Sequence, residues 1–273
     1  MTGSRRSGEW RGLGTRTRSA DRLVVPARGH PLWPLLRDAA RGTFPPADAD
    51  IEICGAPPGP SDAVVAFTAH HLVAGDVPAS DVRAHLPSDP LTGPLSAGFL
   101  VWLGRALGSE PGSLDVVLAH PGGRSAPAAS SGPNAPLLRA STADHPRASR
   151  AERYRSDVVV YEEREGRGIV VLGRGLAGRW ELSVDVAPAH RGSGIGRALI
   201  RAARGLLPAE EPLFAQVAPG NTASLRAFQA AGFVPICAEV LFLRPRLRAR
   251  PGSPRRRSAT PIRPRTRHAA PRR

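Results

Sequence analysis

The sequence has 273 residues, enough for one large domain or two smaller ones with a sizeable core. All 38 residues counted as Lys plus Arg are arginines, and glycine and proline contribute 29 residues each. With 41% hydrophobic residues, the chain is too loop-rich for a helical bundle and too apolar for disorder throughout. No apolar run approaches the roughly 20 residues of a membrane helix, and no apolar stretch follows the first arginines, so we expect neither a membrane span nor a secretory signal.

The formal net charge of +15 is concentrated at the two ends of the sequence. Residues 1–30 contain seven arginines and two acidic residues, whereas residues 244–273 contain twelve arginines, six prolines and no acidic residue. We therefore predict disordered basic segments at 1–27 and 244–273. The C-terminal tail could contact the phosphates of nucleic acid, but it has no aromatic residues to stack on bases, and its composition is typical of a solvated extension.

The two cysteines, Cys54 and Cys237, have no spacing that indicates a metal or redox site. Free cysteines in such low number predict a reducing compartment, and we expect a cytoplasmic protein without a metal centre.

A linker is predicted at 121–136, because thirteen of the fifteen residues from 121 to 135 are Gly, Pro, Ser or Ala. It separates a small α/β N-terminal domain of unknown role, at 28–120, from a second domain at 137–243. In the first domain, periodicity and turn residues predict a helix at 31–41, strands at 51–54 and 63–68, helices at 80–86 and 95–107, and a strand at 114–119.

The second domain has clearer boundaries between its elements. After a candidate strand at 137–139, the pattern predicts a strand at 157–161, a charged turn at 162–168, strands at 169–173 and 180–187, a helix at 194–206, a strand at 213–217, a helix from Asn221 to a stop at Gly232, and one or two strands at 233–243. The order from the strand at 157–161 onward is β-β-β-α-β-α-β.

One segment, P-A-H-R-G-S-G-I-G-R at 188–197, joins a predicted strand to a predicted helix. Backbone N–H groups at a glycine-rich helix start bind anions, because they point outward unpaired and the helix dipole adds positive charge. A nucleotide P-loop is excluded, because Gly196 is followed by Arg197. A dinucleotide fingerprint fails at its third position, which is Leu199. A purely structural glycine turn remains the alternative.

The stretch L-S-V-D-V-A-P-A-H-R-G-S-G-I-G-R-A-L resembles the pyrophosphate loop of the GNAT N-acetyltransferase superfamily, with Arg191, Gly194 and Gly196 at the signature positions. Downstream, N-T-A-S-L-R-A-F-Q-A-A-G-F resembles the second motif of that family. Its positions in register are Asn221, Ser224, Phe228, Gly232 and Phe233. The resemblance covers roughly residues 137–243.

This resemblance implies a mixed sheet flanked by helices, in which the strand before the loop diverges from its neighbour. It implies acetyl-CoA as the acyl donor and an amine of a small molecule or peptide as the acceptor. Asp185, Val186 and Ala187 are expected to contact pantetheine through their backbone. The pyrophosphate would lie against the loop formed by Arg191, Gly192, Ser193, Gly194, Ile195, Gly196, Arg197 and Ala198. Asn221 and Phe228 complete the expected cofactor-binding set.

Two departures from the family pattern leave the acid and the base unassigned. Phe228 replaces the tyrosine that serves many relatives as general acid, and Gln216 replaces a glutamate that serves some as general base. Glu181 and Asp185 remain as weak catalytic candidates. We therefore predict an acetyl-CoA-dependent N-acetyltransferase, with two alternatives: a non-catalytic acyl-CoA-binding or regulatory protein, and a nucleic-acid-associated protein acting through its tails.

The family usually covers the acceptor pocket with two helices between its first strands. Here only residues 140–155 are available for that role, which is short for such a cover. We therefore expect residues 28–120 to close the acceptor pocket.

Overall fold

The computed structural model describes residues 29–122, 135–140 and 145–245. Most of the predicted linker lies outside these ranges, as do the predicted basic tails apart from Arg244 and Pro245.

The described residues form six α-helices and ten strands. The helices are α1 Leu32–Ala40, α2 Ala79–His85, α3 Ala97–Leu107, α4 Pro146–Tyr154, α5 Ile195–Arg204 and α6 Thr222–Ala230. The strands are β1 Ile51–Cys54, β2 Ser61–Phe67, β3 His70–Ala74, β4 Pro111–His120, β5 Leu137–Ala140, β6 Ser156–Glu163, β7 Gly168–Arg174, β8 Trp180–Val186, β9 Leu213–Val217 and β10 Val234–Leu243.

All ten strands belong to one mixed sheet with the order β1-β3-β2-β10-β4-β9-β8-β7-β6-β5. Two pairs, β1 with β3 and β8 with β9, are parallel, and the other pairs are antiparallel. The predicted fold class, an α/β protein with a mixed sheet flanked by helices, is confirmed.

The centre of the sheet combines the two predicted domains. Strand β4 comes from the segment 28–120, but both of its neighbours come from the segment 137–243. Val117 of β4 pairs with Gln216 of β9 on one side and with Cys237 of β10 on the other. The linker therefore divides the chain but not the sheet.

Helices cover both faces of the sheet. On β7, Val171 packs with Ala148 and Ala151 of α4, whereas its neighbour Val170 packs with Leu199 of α5 on the opposite face. The same alternation on β2 directs one set of side chains towards α1 and the next towards α2 and α3. Apolar side chains are therefore buried on both faces of the sheet. Strands β4, β8 and β9 lie between these two buried layers.

The elements not predicted from the sequence have polar or charged composition. The buried strand β3 begins with His70 and His71, and α4 is rich in arginine, so neither shows a simple apolar pattern. The predicted charged turn starts later than expected, because β6 extends to Glu163. The carboxylate of Glu163 is buried and accepts a hydrogen bond from Arg167 at 2.9 Å.

We expect a chain that lacks residues 28–120 to lose cooperative folding. Removal of these residues takes β4 from the middle of the sheet. The edges of β9 and β10 that pair with β4 in the full chain then have no partner. The measurement is urea unfolding followed by circular dichroism, with the full chain as reference. A single cooperative transition in the shortened chain would show that residues 137–243 fold alone.

Candidate active site

Strands β8 and β9 are neighbours only where they begin. Trp180 pairs with Leu213 and Glu181 with Phe214, and no further pair follows. Strand β8 nevertheless stays paired with β7 as far as Val186. From Leu182 onward, the backbone of β8 therefore has no strand partner on the side facing β9.

The glycine-rich loop follows directly from this diverging strand. A 3₁₀ turn at Pro188–His190 leads to Gly192 and Gly194, both in the left-handed region with φ of +77° and +85°. Gly194 is the N-cap of α5, where a side chain would be strained by this backbone conformation. The loop thus presents the unpaired N–H groups of the first turn of α5, which is the geometry of an anion site.

Two polar side chains of the loop are used to shape it. The Oγ atom of Ser193 donates to the carbonyl oxygen of His190 at 2.6 Å. The Nε atom of Arg191 donates to the carbonyl oxygen of Val186 at 3.2 Å, which ties the loop to the end of β8. Both side chains are otherwise exposed.

The other predicted donor-binding residues differ in their exposure. Asp185, Val186, Ala187, Gly194, Gly196, Arg197 and Ala198 are half-buried along the loop and the diverging strand, whereas Ile195 is buried in the core. Asn221 is exposed and caps α6, accepting a hydrogen bond from the backbone N–H of Ser224 at 3.1 Å. Phe228 lies in the core and packs edge-on against Phe233, with 5.1 Å between ring centroids.

A cleft of about 110 Å³ opens where β8 and β9 separate. Glu181 and Ser183 of β8 and Gln216 of β9 lie at its base. Helix α4 lines one side with Arg147, Arg150 and Tyr154. Strand β4 lines the cleft with Gly112, Ser113 and Asp115, so the segment 28–120 contributes directly to its wall.

A buried chain of four charges stands at the point of separation. The Nε atoms of Arg155 and Arg179 each donate to one carboxylate oxygen of Glu181 at 2.9 Å. Arg179 also donates to Glu239 of β10 at 2.6 Å. Burial alone would raise the pKa of Glu181, but the charges of Arg179 and Arg155 outweigh it and hold the pKa below its usual range. Glu181 is therefore a poor proton acceptor at neutral pH.

The second predicted carboxylate, Asp185, is on the diverging part of β8 and outside the lining of the cleft. Its Oδ2 atom is 3.7 Å from the Nε2 atom of His145, and both side chains are about one third exposed. His145 caps α4 by accepting a hydrogen bond from the backbone N–H of Arg147.

Asp115 is the carboxylate in the cleft that the sequence analysis missed. Burial raises its pKa, and the positive charge of Arg150 offsets only part of this effect. No motif surrounds Asp115 in the sequence, and it reaches the cleft only because β4 is inserted between β9 and β10. Its position is a product of long-range pairing that a local pattern does not contain.

Within residues 29–122, 135–140 and 145–245, no cluster of three or more His, Cys, Asp or Glu side chains is arranged to hold a metal ion. Likewise, none of the helices in that part of the chain combines the length and apolar character needed to cross a membrane.

Residues 167–233, which include the diverging strand, the loop and α6, match the acetyltransferase (GNAT) family. The resemblance expected from the sequence is thus confirmed for these residues. No curated protein matches the chain.

Solved structures with similarity to the chain include a GNAT acetyltransferase from Colwellia psychrerythraea, at 14% identity and a TM-score of 0.32, covering 54% of this chain and 62% of the other. A GCN5-related N-acetyltransferase from Kribbella flavida has 19% identity and a TM-score of 0.34, with coverages of 49% and 58%. A tandem GNAT protein from the clavulanic acid biosynthesis pathway has 18% identity and a TM-score of 0.34, with coverages of 57% and 60%. The chain spans about 60% of the length of these structures.

Replacing Arg179 by methionine is expected to destabilise the fold by about 3 kcal/mol or more, because Glu239 and one oxygen of Glu181 are left buried without their cation. Urea unfolding measures the change in free energy. The matched control is Arg83→Met on the exposed surface of α2, which should stay within about 0.5 kcal/mol of the parent chain. Equal stability of the two variants would contradict the structural importance of the buried charges.

Proposed function

We propose that the protein is an N-acetyltransferase that uses acetyl-CoA to acetylate an amine. The observation that carries the proposal is the divergence of β8 from β9 directly before a positive-φ glycine loop at the start of α5. Free strand backbone and unpaired helix N–H groups are complementary to the amide-rich arm and the pyrophosphate of a coenzyme A thioester. The free cysteines Cys54 and Cys237 favour a reducing, cytoplasmic location.

The donor site that we propose has two parts. The backbone of Asp185, Val186 and Ala187 would bind pantetheine, and the loop from Arg191 to Ala198 would bind the pyrophosphate. The space beside Gly192, where a Cβ atom would meet nothing within 4 Å, supports close approach of a phosphate. We assign Asn221 to the rim of this site, because its exposed amide starts α6, which packs against α5.

We place Phe228 differently from the sequence-based expectation. Its ring is 5% exposed and packs on Phe233. This position supports a role in holding α6 against the sheet, with the coenzyme contacting the helix through other residues.

We propose that the acceptor amine enters the cleft and that Asp115 accepts its proton. The amine nitrogen attacks the thioester carbonyl carbon, the proton passes to Asp115, and the carbon–sulfur bond breaks to release the coenzyme A thiolate. Three observations support Asp115 over the other carboxylates. Asp115 lines the cleft, and burial raises its pKa. Unlike Glu181, it does not have an arginine bonded to each of its two carboxylate oxygens. Glu181 acts as a positioning residue that fixes Arg155 at the base of the cleft.

The decisive experiment combines binding with turnover on the full chain. Acetyl-CoA titration by calorimetry measures the donor site, and thiol release measures transfer to a panel of amines. Saturable binding with amine-dependent thiol release supports the proposal. Binding without release for any amine would favour the alternative of a non-catalytic acyl-CoA-binding protein, and absence of binding would contradict both.

Replacing Gly194 by valine should weaken acetyl-CoA binding by about tenfold or more. The φ of +85° strains any β-branched residue, and relief of this strain would shift the first N–H groups of α5. Calorimetry gives the dissociation constant. The control is Gly205→Ala at the other end of α5, where φ is −69° and a side chain is compatible with the helix. Unchanged affinity in a folded Gly194→Val protein would remove the loop from the donor site.

Replacing Asp115 by asparagine should lower kcat by about 10²-fold or more and leave the dissociation constant of acetyl-CoA unchanged, because only a proton acceptor is lost. The base works only when deprotonated, so kcat of the parent chain should fall as the pH drops through the raised pKa of Asp115. The variant should lack this acidic limb. Glu110→Gln, the same charge change at an exposed position just before β4, is the control. An identical pH profile for parent and Asp115→Asn would exclude Asp115 as the base.

A further inference from the structure

The residues that line the cleft carry more positive than negative charge. Three arginines line it, and Arg155 is committed to Glu181. Arg147 and Arg150 then face one remaining carboxylate in the lining, that of Asp115. With Asp115 ionised, the lining keeps one unmatched positive charge, and an uncompensated cation in a partly buried cleft favours an anionic ligand.

Arg147 is the residue of this pair with an unmet hydrogen bond. Its Nε atom is buried, and the described residues offer it no hydrogen-bond acceptor. A buried donor without an acceptor is costly, and a ligand oxygen would remove this cost. Burial lowers the pKa of Arg155, and repulsion by Arg179 and, to a smaller extent, by Arg147 adds to this effect.

The position of Arg147 on α4 strengthens this requirement. It lies in the first turn of the helix, directly after the N-cap His145 and Pro146. A cation there opposes the positive end of the helix dipole, whereas an anion is favoured by both the dipole and the guanidinium. Asp115 stands on β4, which forms another wall of the cleft.

We propose that the acceptor is an amine that also carries a carboxylate, as in a free amino acid. Arg147, supported by Arg150, binds the carboxylate, and Asp115 receives the amine. The inference rests on the proposed acetyl transfer and specifies its acceptor. Arg147 and Arg150 of α4 and Asp115 of β4 line the same cleft, whose volume is about 110 Å³. A planar guanidinium pairs with a carboxylate in bidentate geometry.

The test measures thiol release by the full chain with saturating acetyl-CoA and matched acceptors. Each of the twenty free amino acids is paired with its carboxamide, which keeps the amine and removes the negative charge. We expect the preferred amino acid to exceed its amide in kcat/KM by at least about tenfold. Arg147→Gln should raise KM for the amino acid by about 10- to 100-fold with little change in kcat, and leave the amide unchanged.

Two further variants separate binding from folding and from general charge. Arg147→Lys keeps the charge but loses the planar fork, so its KM for the amino acid should lie between those of the parent chain and Arg147→Gln. Arg83→Gln on α2 removes a positive charge from an exposed position far from the lining of the cleft and should change neither acceptor. An amino acid and its amide differ in amine basicity, so the deciding quantity is the ratio of their kcat/KM values, and that difference cancels when the ratio is compared between parent and variant.

Each other outcome overturns the inference. An equal KM increase for amino acid and amide in Arg147→Gln, or a ratio of their kcat/KM values that is the same in the parent chain and in Arg147→Gln, would show that no carboxylate is recognised, while acetyl transfer itself would stand. Absence of turnover with every amino acid would also reject it. In that case the acetyl-CoA titration shows whether the donor site, and with it the proposed function, fails as well.

Discussion

Four buried charged residues lie at the point where β8 separates from β9. They are Arg155, Glu181, Arg179 and Glu239. Glu181 belongs to the last pair between β8 and β9, and its carboxylate is held by two arginines instead of by solvent. Through Arg179, the chain of charges reaches Glu239 of β10, and through Arg155 it reaches the end of α4. Because unpaired buried charges are costly, these contacts fix the helix and strands around the opening together.

This arrangement explains how a sheet can remain intact while it opens in the middle. On one side of the charges, β9 continues its pairing with β4, and on the other side β8 continues its pairing with β7. The space between them is closed from one face by α4 and at its far end by β4. The loop at the start of α5 then lies at the end of the free strand, so the donor and acceptor sites that we propose would share one opening.

Much of the local structure was predictable from the sequence, because it depends on short-range patterns. The strands at 51–54 and 213–217 have the predicted bounds, and the helix after the glycine loop begins at Ile195, one residue later than expected. The donor-site motif is also local, since turn glycines and a helix start are contiguous in the chain. In this segment, the local sequence pattern and the structure that the complete fold requires are therefore the same.

The cleft that we propose as the acceptor site was not predictable in this way. Asp115 and Arg147 are brought together by the insertion of β4 and the docking of α4, and neither event leaves a periodic signal. Helix α4 is rich in arginine and shows no simple apolar pattern, although Arg155, which follows it, is largely buried beside Glu181. Burial of charge depends on a partner elsewhere in the chain, which a local reading of hydrophobicity does not include.

The insertion of β4 also has a consequence for the order in which the molecule assembles. Val117 must pair with residues about a hundred positions later, Gln216 and Cys237, before the middle of the sheet exists. Loop closure over such separations slows folding, and on the ribosome the early strands emerge long before their partners. Until β10 is synthesised, β2 and β4 each keep an open edge. A nascent chain must therefore form these strands late, or be protected by chaperones, to avoid association through the open edges.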